Sequence, residues 1–74
     1  MEKFFRKLMA IPYISSRMEI EEHYVRFKMI NRYDGKRTVI TPPIMRELEE
    51  ISNNTINFFN RDGEIWGSME IPGL

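Results

Sequence analysis

The stretch "TINFFNRDGEIWGSMEI", residues 55–71, consists of two apolar segments joined by Asp62 and Gly63. Asp-Gly is a strong signal for a two-residue β-hairpin turn, because a type I′ turn needs positive φ at both positions. The stretch therefore predicts an antiparallel hairpin of known register. That register places three pairs of residues opposite each other: Arg61 and Glu64, Phe59 and Trp66, and Asn57 and Ser68.

Side chains alternate between the two faces of a strand, so this hairpin has one apolar face and one mixed face. The apolar face is a predicted core surface and carries Ile56, Phe58, Ile65, Met69 and Ile71. On the mixed face, Phe59 and Trp66 form a cross-strand aromatic pair among polar side chains. Rigid aromatic residues ringed by polar groups are typical of protein-binding hot spots. The candidate protein-binding residues are Phe59, Trp66, Asn57, Ser68 and Arg61.

The alternative for this mixed face is that the N-terminal segment covers it. Residues 2–9 predict a short helix with Phe5, Leu8 and Met9 on one side, ended by Pro12. A helix of this length is marginal alone and must pack to form. Packing of Phe4, Phe5 and Leu8 against the aromatic pair would make that pair part of the core.

A central helix is predicted by "TPPIMRELEEISNN", residues 41–54. Thr41 is suited to the N-cap and Pro42 to the first helical position, and Asn53 with Asn54 marks the exit. The apolar stripe of this helix consists of Ile44, Met45, Leu48 and Ile51. The water-facing side carries Glu47, Glu49 and Glu50.

A first hairpin is predicted before that helix, about Asp34 and Gly35, with "RTVI" as the return strand. Its first strand begins at Met18 and changes phase at Glu21 and Glu22, which predicts a bulge or bend there. The predicted register pairs Tyr33 with Lys36, Arg32 with Arg37, and Ile30 with Val39. It also places four basic residues on one face: Arg26, Lys28, Arg32 and Arg37.

A two-stranded ribbon with a basic face fits the major groove of DNA. The candidate nucleic-acid-binding residues are Arg26, Lys28, Arg32, Lys36 and Arg37. Like charges on one face need a partner, which is either a phosphate backbone, a second subunit, the acidic helix, or one of Glu19, Glu21 and Glu22. The charges are also segregated along the chain. Residues 1–37 hold nine basic and five acidic side chains, and residues 38–74 hold two and six.

The chain predicts one α+β domain over residues 1–74, because its length is too small for two cores. Residues 1–17 are a short N-terminal helix and connector, and residues 18–74 are the hairpin–helix–hairpin core. The predicted order is therefore a helix followed by β-β-α-β-β, with two antiparallel hairpins packed with one central helix. Oligomerisation as a homodimer is the remaining route to further burial, since the chain has no cysteine.

Catalytic and cofactor signatures are missing from the sequence. His23 is the only histidine and there is no cysteine, which excludes metal sites built from imidazole or thiolate. There is no phosphate-binding glycine loop and no serine in a pattern that would activate it. We therefore expect no enzyme activity, no cofactor and no metal. Because no apolar run is long enough to span a membrane and the N-terminus is a poor signal peptide, we expect a cytoplasmic protein.

Residues 25–71 resemble the swapped-hairpin AbrB-like regulators and antitoxins. The resemblance rests on "YDGKRTVITPPIMREL", in which Gly35, Val39, Pro42 and Arg46 occupy roughly matching places before a second hairpin. The sequence departs from the pattern in Thr41, in the second proline Pro43, and in a shifted helix leucine. The resemblance implies an interleaved homodimer that binds DNA through the first hairpin. The implied contacts are Arg26, Lys28, Arg32 and Arg37.

Two functions follow as expectations. The leading one is a small non-catalytic binding protein that docks on a larger protein, as an inhibitor or adaptor, through Phe59, Trp66 and the polar residues around them. The alternative is a dimeric nucleic-acid-binding transcriptional regulator that uses the basic first hairpin.

Overall fold

A computed structural model describes residues 2–73. Its elements, in chain order, are α1 (Glu2–Met9), β1 (Met18–Glu21), β2 (Tyr24–Lys28), α2 (Pro42–Ser52), β3 (Asn57–Arg61) and β4 (Glu64–Glu70). The strands form one antiparallel sheet in the order β1-β2-β4-β3. This confirms the predicted α+β class, with an N-terminal helix followed by β-β-α-β-β. None of the helices within residues 2–73 has the length and apolar composition that crossing a bilayer requires.

The second hairpin has the predicted register. β3 and β4 pair with Asn57 opposite Ser68, Phe59 opposite Trp66, and Arg61 opposite Glu64. Both turn residues have positive φ, at 52° for Asp62 and 81° for Gly63, as a type I′ turn requires. Turn chemistry alone therefore determined this half of the sheet.

The first hairpin lies earlier in the chain than predicted. β1 and β2 are joined by Glu22 and His23, and Glu22 has φ of 55°. The predicted bulge or bend in a single strand was therefore wrong, because the phase change at this point marks a chain reversal. Residues directly opposite each other in an antiparallel pair share a face. The apolar residues of both strands thus lie together: Met18 opposite Phe27, and Ile20 opposite Val25.

Residues 29–40 form no second strand of a hairpin, so the predicted return strand "RTVI" was also wrong. Ile30 makes an isolated bridge with Arg37 and not with Val39. The side-chain oxygen of Asn31 accepts the backbone N–H groups of Tyr33 and Asp34, at 2.9 and 3.3 Å, which widens the loop. The return segment keeps only short pairing with residues 29–31, in which the Thr38 N–H donates to the Met29 carbonyl at 3.0 Å and the Asn31 N–H to the Lys36 carbonyl at 2.9 Å. The Thr38 hydroxyl donates instead to the carbonyl of Tyr13 in the connector, at 2.7 Å.

The core lies between one face of the sheet and both helices. Its buried apolar residues are Phe4, Leu8, Ile11, Ile14, Val25, Phe27, Met29, Leu48, Met69 and Ile71. α1 is buried through Phe4 and Leu8, so the predicted stripe of Phe5, Leu8 and Met9 was wrong in part. Met9 is 42% exposed.

The capping of α2 follows the prediction. Thr41 occupies the N-cap, Pro42 opens the helix, and Asn53 ends it in the left-handed conformation, with φ of 52°. Leu48 is fully buried. Ile65 was predicted to lie in the core face of the second hairpin, and this was wrong. It is the second residue of β4 and is 41% exposed.

Candidate functional site

The second face of the sheet has neither helix packed on it. It is called the open face below. Because Val25, Phe27 and Met69 point into the core, the alternating positions of the same strands point the other way. The open face carries Glu19 and Glu21 of β1, Tyr24, Arg26 and Lys28 of β2, Glu64, Trp66, Ser68 and Glu70 of β4, and Asn57, Phe59 and Arg61 of β3. The N-terminal helix therefore does not cover the aromatic pair.

Phe59 of the edge strand β3 stacks on Trp66 of the neighbouring inner strand β4. Their ring centroids are 6.3 Å apart, the ring planes are inclined by 25°, and both side chains are half-buried. The guanidinium of Arg61 lies 4.0 Å from the indole centroid and 5.8 Å from the phenyl centroid. Cation–π attraction to tryptophan is the strongest among the aromatic side chains, so Arg61 fixes both rings in place.

Arg61 also crosses the sheet to reach Glu19. Its two terminal nitrogens donate to the Glu19 carboxylate at 2.8 and 3.2 Å. The two residues are on opposite edge strands, and those strands are about 14 Å apart at three strand spacings. Their side chains must therefore lie along the face, with the guanidinium over the indole. This hydrogen bond, together with the positive charge of Arg61, lowers the pKa of the Glu19 carboxyl below its ordinary value.

Two further ion pairs lie on the open face. Arg26 contacts Glu21 at 2.7 Å, and the Lys28 ammonium contacts Glu64 at 2.6 Å while lying 5.8 Å from the centroid of the Trp66 ring. Each basic residue that the strands place on this face thus has a carboxylate neighbour. On the side of the inner strands, the aromatic pair therefore adjoins three ion pairs.

The structure brings all five predicted protein-binding residues together on the open face. Of the five basic candidates, only Arg26 and Lys28 join them. Arg37 donates to the carbonyl of Gly63 at 3.3 Å, and Lys36 is exposed in the loop after Gly35. The structure therefore does not place the predicted basic residues on one face.

Arg32 has a different position altogether. Its guanidinium donates to the carbonyl oxygens of Met9 at 2.7 Å, Ile11 at 2.6 Å and Ile14 at 3.3 Å. A cation is favourable beside the carbonyl end of a helix. Arg32 therefore fastens the end of α1 and the following connector to the loop of residues 29–40.

Sequence reasoning missed the part of the site that β1 contributes. A cavity of about 480 Å³ adjoins Trp66 and is lined by Ser15, Arg17, Met18, Glu19, Lys28 and Trp66. The sequence predicts one strand over the residues of β1 and β2, and a single strand does not bring Glu19 beside Trp66. The change of apolar phase at Glu21 and Glu22, interpreted as a turn, would have placed Glu19 opposite Arg26.

A separate polar contact lies on the helical side of the molecule. The Tyr13 hydroxyl donates to the Glu47 carboxylate at 2.5 Å, which joins the connector to α2. Burial, and then the neighbouring carboxylate, raises the pKa of Tyr13 above its ordinary value.

Within residues 2–73 no group of three acidic or histidine side chains is arranged to hold a metal ion. Comparison of the chain with protein-family models, with curated proteins and with solved structures gave no match. The resemblance to the AbrB-like regulators therefore stays a prediction.

Proposed function

We propose that this protein is a non-catalytic binding protein that docks on a larger protein through the open face, as an inhibitor or adaptor. The observation that carries the proposal is the Phe59–Trp66 stack on the one sheet face that neither helix covers. Trp and Arg are the residue types most enriched among binding hot spots. Here Trp66 and Arg61 are in direct contact on the open face.

The polar residues around the stack suit a protein partner. Hot spots lie in the middle of an interface and are ringed by polar contacts that exclude water. The pairs Arg26–Glu21, Lys28–Glu64 and Arg61–Glu19 supply polar groups of this kind beside the stack. The ion pairs also hold long side chains in place before binding, which reduces the entropy lost on association.

The alternative proposal is a nucleic-acid-binding regulator, which draws its affinity from cations that neutralise phosphates. The charge balance of the open face favours a protein, because its strand cations Arg26, Lys28 and Arg61 already contact carboxylates. We place the protein in the cytoplasm. A 74-residue chain without cysteine differs from small secreted domains, which are rich in disulfides.

The test begins with a photo-crosslinking amino acid at Asn57, an exposed position on the edge strand of the open face, in the source cells. The matched control carries the same amino acid at Arg46, which is exposed on α2. A protein crosslinked from Asn57 and not from Arg46 is then purified for binding measurements. Crosslinking from both positions alike, or from Arg46 alone, would contradict docking through the open face.

Affinity for that purified partner is then measured for two alanine variants. Trp66→Ala should weaken binding by about thirtyfold or more, the effect of losing a hot spot of about 2 kcal/mol. Tyr33→Ala, at a loop aromatic that is 82% exposed, should leave the affinity unchanged. Unchanged affinity in Trp66→Ala refutes the proposal. Binding of random duplex or single-stranded nucleic acid that collapses between about 50 and 200 mM salt would support the alternative.

A further inference from the structure

The cavity beside Trp66 is lined by a cation, Arg17, that forms no ion pair with a carboxylate of the open face. Among the cations on or beside this face, Arg26, Lys28 and Arg61 each have a carboxylate within ion-pair distance. Arg17 lines the cavity and has no such partner within residues 2–73. The carboxylate nearest to it along the chain, Glu19, is held by Arg61 through two hydrogen bonds.

The remaining lining supplies hydrogen-bond donors and apolar walls. Lys28 presents an ammonium with three donors, of which Glu64 takes one. The Ser15 oxygen accepts the backbone N–H of Arg17 at 3.1 Å, which leaves the hydroxyl hydrogen to donate to a ligand. The indole of Trp66 and the side chain of Met18 are the apolar walls. The cavity therefore offers cationic and hydroxyl donors next to an aromatic surface, and the one carboxylate of its lining, Glu19, is already bound by Arg61.

We propose that this cavity receives an acidic side chain of the protein partner, next to an apolar partner residue that packs on Trp66. The inference rests on the proposed function and specifies the chemistry of the partner. Arginine and carboxylate form charge-assisted hydrogen bonds that are stronger than neutral ones. The volume of about 480 Å³ accommodates an Asp or Glu side chain with part of its backbone. A basic side chain would leave Arg17 facing a like charge.

The probe is a phage-displayed library of random peptides without tryptophan, selected on the wild-type protein. The expected enriched motif is Asp or Glu within a few residues of an aromatic or large aliphatic residue. Trp66 is the only tryptophan of the chain, so its fluorescence reports binding of each selected peptide. Replacing the acidic residue of the peptide with its amide should weaken binding by about tenfold, a difference of about 1.4 kcal/mol.

The protein variants separate the inference from the proposed function. Arg17→Glu should weaken the acidic peptides by about tenfold or more, whereas the matched reversal Arg46→Glu on α2 should change the affinity less than about twofold. Circular dichroism and thermal unfolding verify that each variant folds. Binding by Trp66→Ala is followed by isothermal calorimetry, since this variant has no tryptophan.

Each outcome has one meaning. Acidic peptides that need both Arg17 and Trp66 support the inference. Peptides without an acidic preference that lose binding in Trp66→Ala but not in Arg17→Glu overturn the inference and leave the proposed function standing. Peptides that bind Trp66→Ala as well as the wild type contradict both. Failure to enrich any sequence, or tighter binding of inorganic phosphate than of acidic peptides, overturns the inference.

Discussion

Gly67 on β4 lies directly under the ring of Phe27, and replacing it with alanine tests how tightly this part of the core is packed. A Cβ atom added at Gly67 would lie 2.7 Å from Cε1 of Phe27 and 3.1 Å from Cζ. Carbon atoms in favourable contact are about 3.5 to 4.0 Å apart. The added methyl group is therefore about 0.8 Å too close or more.

The ring has little freedom to move away. Phe27 is fully buried in the core, and its strand is paired on both edges. Overpacking of this kind costs about 1 to 3 kcal/mol. Because a domain of this length is stable by only about 4 to 11 kcal/mol, Gly67→Ala should remove a large fraction of the free energy of unfolding.

The assay is urea denaturation followed by circular dichroism, with Ser68→Ala as the matched control. Ser68 is the next residue of the same strand and points to the open face, so its substitution should change the free energy of unfolding by about 0.5 kcal/mol or less. A double-mutant cycle with Phe27→Leu isolates the contact. The cost of Gly67→Ala should fall by about 1 kcal/mol or more in the Phe27→Leu background. An equal cost in both backgrounds would refute the steric explanation.

Two further predictions concern single charged residues. Arg32→Ala should lower the free energy of unfolding by about 1.5 to 3 kcal/mol, because three carbonyl oxygens lose a charged donor. Lys36→Ala is the exposed control. Equal midpoints of urea denaturation for the two variants would show that Arg32 does not fasten α1 to the loop. The lowered pKa of Glu19 means that its ion pair is present above its ordinary value of 4.5 and is lost as the pH falls through the lowered pKa. Glu19→Gln lacks this ion pair at every pH, so its Trp66 fluorescence at neutral pH should resemble that of the wild-type protein in acid. If the fluorescence of Glu19→Gln changes with acid just as that of the wild type does, the ion pair does not hold Arg61 over the indole.

Short-range signals determined the elements that were predicted correctly. Asp62 and Gly63 specify a turn of a single type, so the pairing of Phe59 with Trp66 could be deduced without knowing the rest of the fold. The same is true of α2, since its N-terminal proline and the left-handed Asn53 act within a few residues of the helix ends. These preferences are local and need no tertiary contact.

The tertiary structure decided the features that depend on which strand lies beside which. Asp34 and Gly35 carry the same turn signal, yet the return segment makes only the single bridge between Ile30 and Arg37. The Thr38 hydroxyl that follows donates to the carbonyl of Tyr13, 25 residues away in the chain. The membership of the open face was decided in the same way: Glu19 and Arg61 are 42 residues apart in the chain and meet only when the sheet order brings their side chains over Trp66. Local sequence can place a side chain on one face of its own strand. Strand order, set by burial of the whole core, determines the neighbours of that side chain across the sheet.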